Sequence, residues 1–407
     1  MLRSRNYQLY ILAFVGVVAL MDQYLSAVES TAIPFVLAEY QIEAADFASL
    51  KSRFLIITFF VFALNALNDL IGRKPAILVL ILLMGLSSLA IVLFTPTLMW
   101  FMTFYALAMF ATVSNMWSII VGEESPAVRR ARYTVAVVAI SLIPIQAYAP
   151  VFLVQRLGLN WRWIYGITFL VMLPVLVLWW FMRETGRYRE IERERSQRPE
   201  WRELVGLGKL NRGDLRYVAL AASIAIGVLV AITLAFWAGY FFMKVHNYTL
   251  AEWSSVFFAL LTLQIVGSLS GGWLMDRVGR NRLFVAGGLG MGMLMASLGF
   301  LPRSLLPIAC AGAGFFIGIV SGWLFVYIPE IFPTDRRGVC VGWVMALARL
   351  SYVIGPALAA LLLRRFPTME GFWVAAGLIM LAPIVLVLFV RPFETRALEL
   401  EEIAVRR

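Results

Sequence analysis

The stretch "GGWLMDRVGRNRLFVAGG", residues 271–288, places Asp276, Arg277, Arg280 and Arg282 between two apolar runs. It has a partner upstream. "NALNDLIGRKP", residues 65–75, aligns with "GWLMDRVGRNR", residues 272–282. Asp69 matches Asp276, Gly72 matches Gly279 and Arg73 matches Arg280, at an offset of 207 residues. The same offset carries Glu123 to Glu330, Pro126 to Pro333 and Arg130 to Arg337, in "GEESPAVRRA" and "PEIFPTDRRG". Two charged motifs repeated in one order and one spacing identify an internal duplication.

The rest of the chain says where these motifs sit. Its 407 residues are 61% hydrophobic and 14% charged, with a mean hydropathy of +0.84. Soluble domains carry about a quarter of their residues as charged types. Apolar segments recur near 8–29, 49–68, 75–95, 98–120, 132–155, 161–182, 217–241, 251–275, 282–300, 304–328, 338–363 and 370–390. Each is long enough to cross a hydrocarbon layer of about 30 Å as a helix. The expected fold is therefore an all-α membrane protein of twelve transmembrane helices. The second segment, which begins with Lys51 and Arg53, and the short glycine-rich ninth are the weakest of the twelve. The basic start "MLRSRNYQLYILAF" runs into the first segment with no small-residue cleavage site, and we read it as a retained span.

A charged stretch between the sixth and seventh segments, "RETGRYREIERERSQRPEWRELVGLGKLNRGDLR", cannot sit in lipid. It divides the chain into a six-helix half over 1–183, a cytoplasmic loop over 184–215, and a six-helix half with a short tail over 216–407. Arg73/Lys74, Arg129/Arg130/Arg132, the central loop, Arg277/Arg280/Arg282 and Arg336/Arg337 then share one side, with both termini. The positive-inside rule makes that side cytoplasmic, and a net charge of +11 suits contact with anionic lipid. No basic soluble domain is left to bind nucleic acid. The two cysteines, Cys310 and Cys340, suggest neither a disulfide framework nor a metal cluster.

Within the repeated motifs, Asp69 and Asp276 close a helix and Gly72 and Gly279 permit a tight turn. Glu123 and Glu330 end the fourth segment of each half, and we expect them near Arg130 and Arg337. With Arg73, Arg277 and Arg280 they make a cytoplasmic gate, whose ion pairs bias a bistable structure. The plainer alternative, a topology signal only, suits Lys74 and Arg282. G-x-x-x-D-R-x-G-R at 272–280 resembles the loop signature of the major facilitator superfamily. E-x-x-P-x-x-x-R-G at Glu330, Pro333, Arg337 and Gly338 is similar to the second signature of its sugar and organic-solute branches. The resemblance spans the whole chain and implies a six-plus-six helical fold with alternating access. Asn65, Leu70 and Ala131 depart from the first-half pattern, so the first-half gate is expected to pack differently. The fifth segment, "TVAVVAISLIPIQAYAPVFL", lacks the glycine-rich proline pattern of many drug–proton antiporters.

Charges that the duplication does not repeat are candidates for substrate chemistry. Asp22 and Glu29 lie in segment one, and their counterparts are Leu229 and Phe236; Arg349 lies in segment eleven, opposite Leu142. An ionised group at mid-membrane costs at least about 3 kcal/mol, so it faces a cavity or a partner. Arg349 offers a planar donor fork to an anion. Asp22 is the candidate proton carrier, because desolvation disfavours its charged form; alternatively, Asp22 and Arg349 neutralise each other. Glu29 is a third candidate for substrate or proton, or an outer latch to Lys51 or Arg53. An acid in span one and an arginine in span eleven are what the resemblance implies for proton-coupled organic-anion carriers.

Tyr24, Asn115, Gln146, Tyr148 and Gln264 are polar groups within spans, able to line a cavity or to bond neighbouring helices. Trp179, Trp180 and Trp237 read as interface anchors, His246 as a surface residue, and "GMGMLMAS", 290–297, as small-residue helix packing. No nucleotide-binding loop, metal cluster or nucleophile motif points to an enzyme or a cofactor. The expected activity is secondary transport of a small organic solute, an organic acid moved with protons, by a monomer in the cell membrane. The competing readings are proton-coupled efflux of a drug or cationic compound, and a receptor or scaffold that binds without cycling.

Overall fold

The structure, a computed structural model, describes residues 5–112, 114, 116–124, 130–186, 188–189, 210–332 and 337–394. In chain order the helices are α1 Arg5–Tyr40, α2 Ala44–Phe54, α3 Val61–Leu70, α4 Arg73–Leu93, α5 Leu98–Ala111, α6 Met116–Glu124, α7 Arg130–Ser141 and α8 Trp163–Phe181. After the central stretch come α9 Arg212–Ala235, α10 Leu250–Val278, α11 Arg280–Ser297, α12 Leu306–Glu330, α13 Arg337–Ala348, α14 Ser351–Arg365, α15 Glu370–Ile379 and α16 Leu381–Val390. This is the multi-span all-α fold that the apolar runs require, since in lipid a helix satisfies its own backbone.

Ten helices among the described residues are long and apolar enough to cross a membrane; the sequence led us to expect twelve. The two that fall short have visible reasons. The fourth segment is split into α5 and α6, with Thr112 already extended. The ninth, α11, opens with Arg280 and Arg282 and carries four glycines, which lowers its hydropathy.

Several segments are broken helices. A 3₁₀ stretch, Leu55–Phe60, joins α2 to α3. After α7 the chain turns through a 3₁₀ helix, Pro144–Tyr148, and a π-helix, Val151–Arg156. Pro144 and Pro150 lack the N–H that a continuous α-helix needs. The break after α7 falls at Leu142, and the break between α13 and α14 falls at Arg349. These are counterparts in the duplication, so the repeat extends from sequence to helix interruptions.

The chain forms two compact units, Met1–Ala32 with Ile57–Val205, and Ile33–Ile56 with Gly206–Arg407. In the first, Gly85 of α4 lies against Met172 of α8, and Gly16 of α1 against Ile140 of α7. In the second, α10 and α12 touch backbone to backbone. A Cβ on Gly318 would stand 2.2 Å from Gln264 O, and one on Gly314 2.4 Å from Leu260 O. Small residues are how helices approach closely without a hydrophobic driving force. Gly292 and Gly377 do the same for α11 and α15, which is the packing role expected of the methionine–glycine tract.

The second unit also includes α2. Ser52 Oγ donates to Val353 O at 2.8 Å, and Arg364 pairs with Asp46 at 2.8 Å. Phe47 meets the edge of Trp237 at 6.5 Å, and the Lys51 ammonium lies 5.9 Å from the Phe236 ring. Trp237 is thus buried and not the interface anchor expected of it; apolar neighbours on α2 cover it. Capping boxes start α9, through Asn211 and Asp214, and α10, through Thr249 and Glu252.

Candidate functional site

The repeated motifs build one network in each unit. In the first, Arg73 opens α4 and is buried. Its Nη2 lies 2.8 Å from Glu123 Oε1, its Nε 3.2 Å from both Glu123 oxygens, and its Nη1 donates to Asn68 O at 2.8 Å. Thr185 Oγ1 donates to the same carboxylate, and the guanidinium lies 5.0 Å from the Tyr188 ring. In the second, Arg280 opens α11. Its Nη2 lies 3.3 Å from Glu330 Oε1, its Nη1 3.1 Å from Asp276 Oδ1, and Nη1 also donates to Met275 O at 3.2 Å. A planar fork that reaches a carboxylate and a carbonyl together is arginine chemistry.

Glu123 and Glu330 bind Arg73 and Arg280, the first residue of the following helix in each motif. The side chains of Arg130, Arg337 and Asp69 lie outside the described residues, as does Asn115. Arg277 is exposed and stacks on Trp273 at 3.7 Å, one helical turn away. Asp276 keeps 72% of its side chain exposed while pairing with Arg280.

Two residues that the sequence reading missed complete the networks. Glu184 accepts from the backbone N–H groups of Arg73 at 3.0 Å and Lys74 at 3.1 Å. Glu394 accepts from those of Arg280 at 2.9 Å and Asn281 at 3.1 Å. Each carboxylate caps a helix whose own N-cap is a glycine with no side chain to offer. Those glycines are required twice over. Gly72 has φ 99° and Gly279 φ 108°, and a Cβ would stand 2.5 Å from Glu184 Oε2 or 2.9 Å from Glu394 Oε2. The signal available in the sequence was Glu-Thr after the sixth and twelfth segments, at 184–185 and 394–395. It repeats at an offset of 210, so a search at 207 passes over it.

The unrepeated charges are buried deep in apolar helices. Asp22 and Glu29 are each 1% exposed, on α1 in the first unit; Arg349 is 3% exposed, at the helix break in the second. The Arg349 guanidinium lies 5.4 Å from the Tyr352 ring. Glu29 is within electrostatic reach of Tyr165, which belongs to an aromatic cluster absent from the sequence reading. In that cluster Tyr105 meets Tyr165 edge-on at 6.2 Å, and Phe101 meets Tyr165 at 5.9 Å. Two helices distant in sequence, α5 and α8, supply these rings, so no local motif announces them.

The polar candidates divide. The Tyr24 hydroxyl donates to Ile164 O at 2.7 Å, tying α1 to α8. Gln146 Nε2 donates to Ser141 O at 3.3 Å across the α7 break. Both bonds are structural. Tyr148 and Gln264 are half-buried.

A family model matches most of the chain. The model described as Major Facilitator Superfamily covers residues 12–327. The chain belongs to the Major Facilitator Superfamily. A gallate transporter of Pseudomonas putida is 36% identical over 93 residues, 22% of this chain and 20% of that protein. A gentisate transporter of Corynebacterium glutamicum is 23% identical over 363 residues, 84% of this chain and 79% of that protein. The inward-open structure of the xylose transporter XylE from E. coli superposes with a TM-score of 0.75 at 17% identity, covering 98% and 100% of the two chains. The match to the gallate transporter thus spans about a fifth of that protein's length, and the likeness to the xylose transporter is one of fold.

Proposed function

We propose that this protein is a secondary active transporter that carries an aromatic carboxylate together with protons, by alternating access. The reading is carried by the buried charges: Asp22 and Glu29 in the first unit and Arg349 in the second, none with a charged counterpart in the other repeat. Arg349 supplies a two-pronged donor for the solute's carboxylate, and Asp22 carries the proton. Glu29 is a second acid for solute or proton. The relatives named for gallate and gentisate, both aromatic acids, agree in solute class. The architecture we propose is twelve membrane-spanning helices in two halves, 1–183 and 216–407, joined by the loop 184–215. The basic loops face the cytoplasm with both termini, and the chain works as a monomer. The networks around Arg73 and Arg280 then form the cytoplasmic gate.

Uptake into liposomes tests this. Wild-type protein under an imposed inward proton gradient is expected to accumulate radiolabelled gallate, gentisate or benzoate, and Asp22→Asn to lose accumulation while retaining solute exchange. Accumulation of xylose alone, or aromatic-acid uptake indifferent to the gradient, would overturn the reading. A second reading, efflux of an organic cation, draws on the two buried acids of α1. Gradient-driven export of a cationic dye, with no effect of aromatic acids, would favour it.

A further inference from the structure

A serine or threonine hydroxyl inside a helix reaches the carbonyl four residues back, and those of this chain do so repeatedly. Ser26 Oγ donates to Asp22 O at 3.0 Å, Ser88 Oγ to Met84 O at 2.7 Å, Thr95 Oγ1 to Ile91 O at 2.7 Å and Thr262 Oγ1 to Phe258 O at 2.8 Å. Thr168 of α8 breaks the pattern. It is 1% exposed, and its hydroxyl meets no hydrogen-bond partner among the described residues. The carbonyl four residues back is that of Ile164, and it accepts from the Tyr24 hydroxyl of α1 at 2.7 Å. A carbonyl oxygen has two lone pairs. One serves the helical N–H four residues on, Tyr24 takes the other, and Thr168 is left out. A buried hydroxyl without a partner is unfavourable.

The Tyr24 bond belongs to a series. Tyr10 of α1 donates to Leu178 O of α8, and Tyr7 bonds the backbone at Arg183, so tyrosines fasten α1 to α8 in antiparallel register. Tyr24 is the member nearest the place where α1 leaves the first unit, between Ala32 and Ile33. Pro34, two residues on, lacks the N–H that would stiffen the helix there. A helix shared by both units feels any change between them, and alternating access requires such change. We infer that Tyr24 and Thr168 are alternative donors to the Ile164 carbonyl, and that exchange between them lets α1 release α8 during the transport cycle. When Tyr24 lets go, a turn of Thr168 about χ1 brings its hydroxyl onto the vacated lone pair, and no buried carbonyl is left short. Tyr165, the next residue along α8, lies within electrostatic reach of Tyr24, and its hydroxyl oxygen can accept from the released phenol. The Tyr10 tie has no such substitute: four residues beyond Leu178 stands Met182, without a hydroxyl. The Tyr10 end of α1 therefore stays fastened while the Tyr24 end exchanges. The exchange depends on cycling between states and not on the identity of the solute.

The test is a double-mutant cycle on the full-length protein in detergent, read by melting temperature and by spin-label distances. In otherwise wild-type protein, Thr168→Val removes an unbonded hydroxyl at constant shape, and is expected to melt at or above wild type. In Tyr24→Phe the Thr168 hydroxyl takes over Ile164 O, so there Thr168→Val is expected to lower the melting temperature by about 2 °C. Labels at Phe181→Cys and Phe389→Cys, exposed residues at the ends of α8 and α16, report the two states, with Cys310 and Cys340 replaced by alanine. Thr168→Val is expected to shift the ratio of distance populations roughly five-fold toward the Tyr24-bonded state. Thr168→Ser keeps the hydroxyl and is expected to keep the ratio. In the Tyr24→Phe background Thr168 is bonded in both states, so Thr168→Val should leave the ratio unchanged. Should the labels report a single population, the melting cycle decides. An equal loss of melting temperature from Thr168→Val in both backgrounds would overturn the exchange, as would a ratio of two populations that Thr168→Val leaves unmoved or moves equally with and without Tyr24.

Discussion

Replacing Gly279 by alanine separates two contributions to the second network. The first is conformational. At φ 108°, ψ 150° the backbone occupies a region that is essentially glycine-only, and a side chain there costs about 1–3 kcal/mol. The second is steric. The new Cβ would stand 2.9 Å from Glu394 Oε2, so the carboxylate must withdraw from the amides of Arg280 and Asn281. Leaving such N–H groups unmet costs about 1–3 kcal/mol. Together these reach roughly 2–6 kcal/mol, a large share of a typical stability of about 5–15 kcal/mol. The assay is apparent melting temperature in detergent at one scan rate, because membrane-protein unfolding is governed by rates when it is irreversible. Glu394→Ala removes the obstacle. In that background Gly279→Ala should cost only the conformational part, so the double variant should melt higher than the two single shifts predict by addition. Additive shifts, or a Gly279→Ala that melts as wild type does, would refute the account. At Gly72 the clearance to Glu184 Oε2 is 2.5 Å, and the coupling should be larger.

Gly318→Ala is expected to destabilise the second unit by about 1–3 kcal/mol, because its Cβ would meet the Gln264 carbonyl, part of a helix backbone, at 2.2 Å. A melting temperature within error of wild type would show that α10 and α12 separate freely. His246, between the apolar helices, titrates below the ordinary histidine range, through burial first and the nearby Arg303 second. A lowered value favours the neutral ring in the folded state. Its contribution to stability is therefore present above the unfolded pKa and lost as pH falls through the folded one. NMR titration of the single histidine is expected to give that lowered value, and Arg303→Gln to raise it. A value above the ordinary one would refute the assignment.

Much of the fold was legible because lipid imposes a simple rule: long apolar runs become helices. What the runs did not reveal was how they break. Thr112 interrupts the fourth segment, and the eleventh breaks at Arg349. Arg73 and Arg280 were legible because duplication kept them in register. Their partners were less so. Glu123 lies 50 residues from Arg73 along the chain, and only tertiary packing joins them. Glu184 and Glu394 escaped because the register slips by three residues before they are reached. The Tyr105–Tyr165 cluster depends on tertiary packing alone.

The duplicated break offers a control that few buried charges have. The backbone tightens to i−3 bonding just after Leu142 and from Arg349 onward. Ile143 N donates to Ile140 O at 3.3 Å, and Arg349 N and Leu350 N donate to Ala346 O at 3.2 Å and Leu347 O at 3.0 Å. The first repeat shows that leucine is compatible with this interruption. Arg349→Leu therefore installs what the other repeat already carries. If Arg349 served the break itself, the variant would unfold. If it serves a carboxylate solute, as proposed, the variant should melt within a few degrees of wild type. It should also lose aromatic-acid binding by at least about ten-fold, one charge-assisted bidentate contact. Calorimetric titration of gentisate into both proteins, beside their melting curves, distinguishes the two. A folded Arg349→Leu that binds gentisate as wild type does would remove Arg349 from the proposed solute-binding residues.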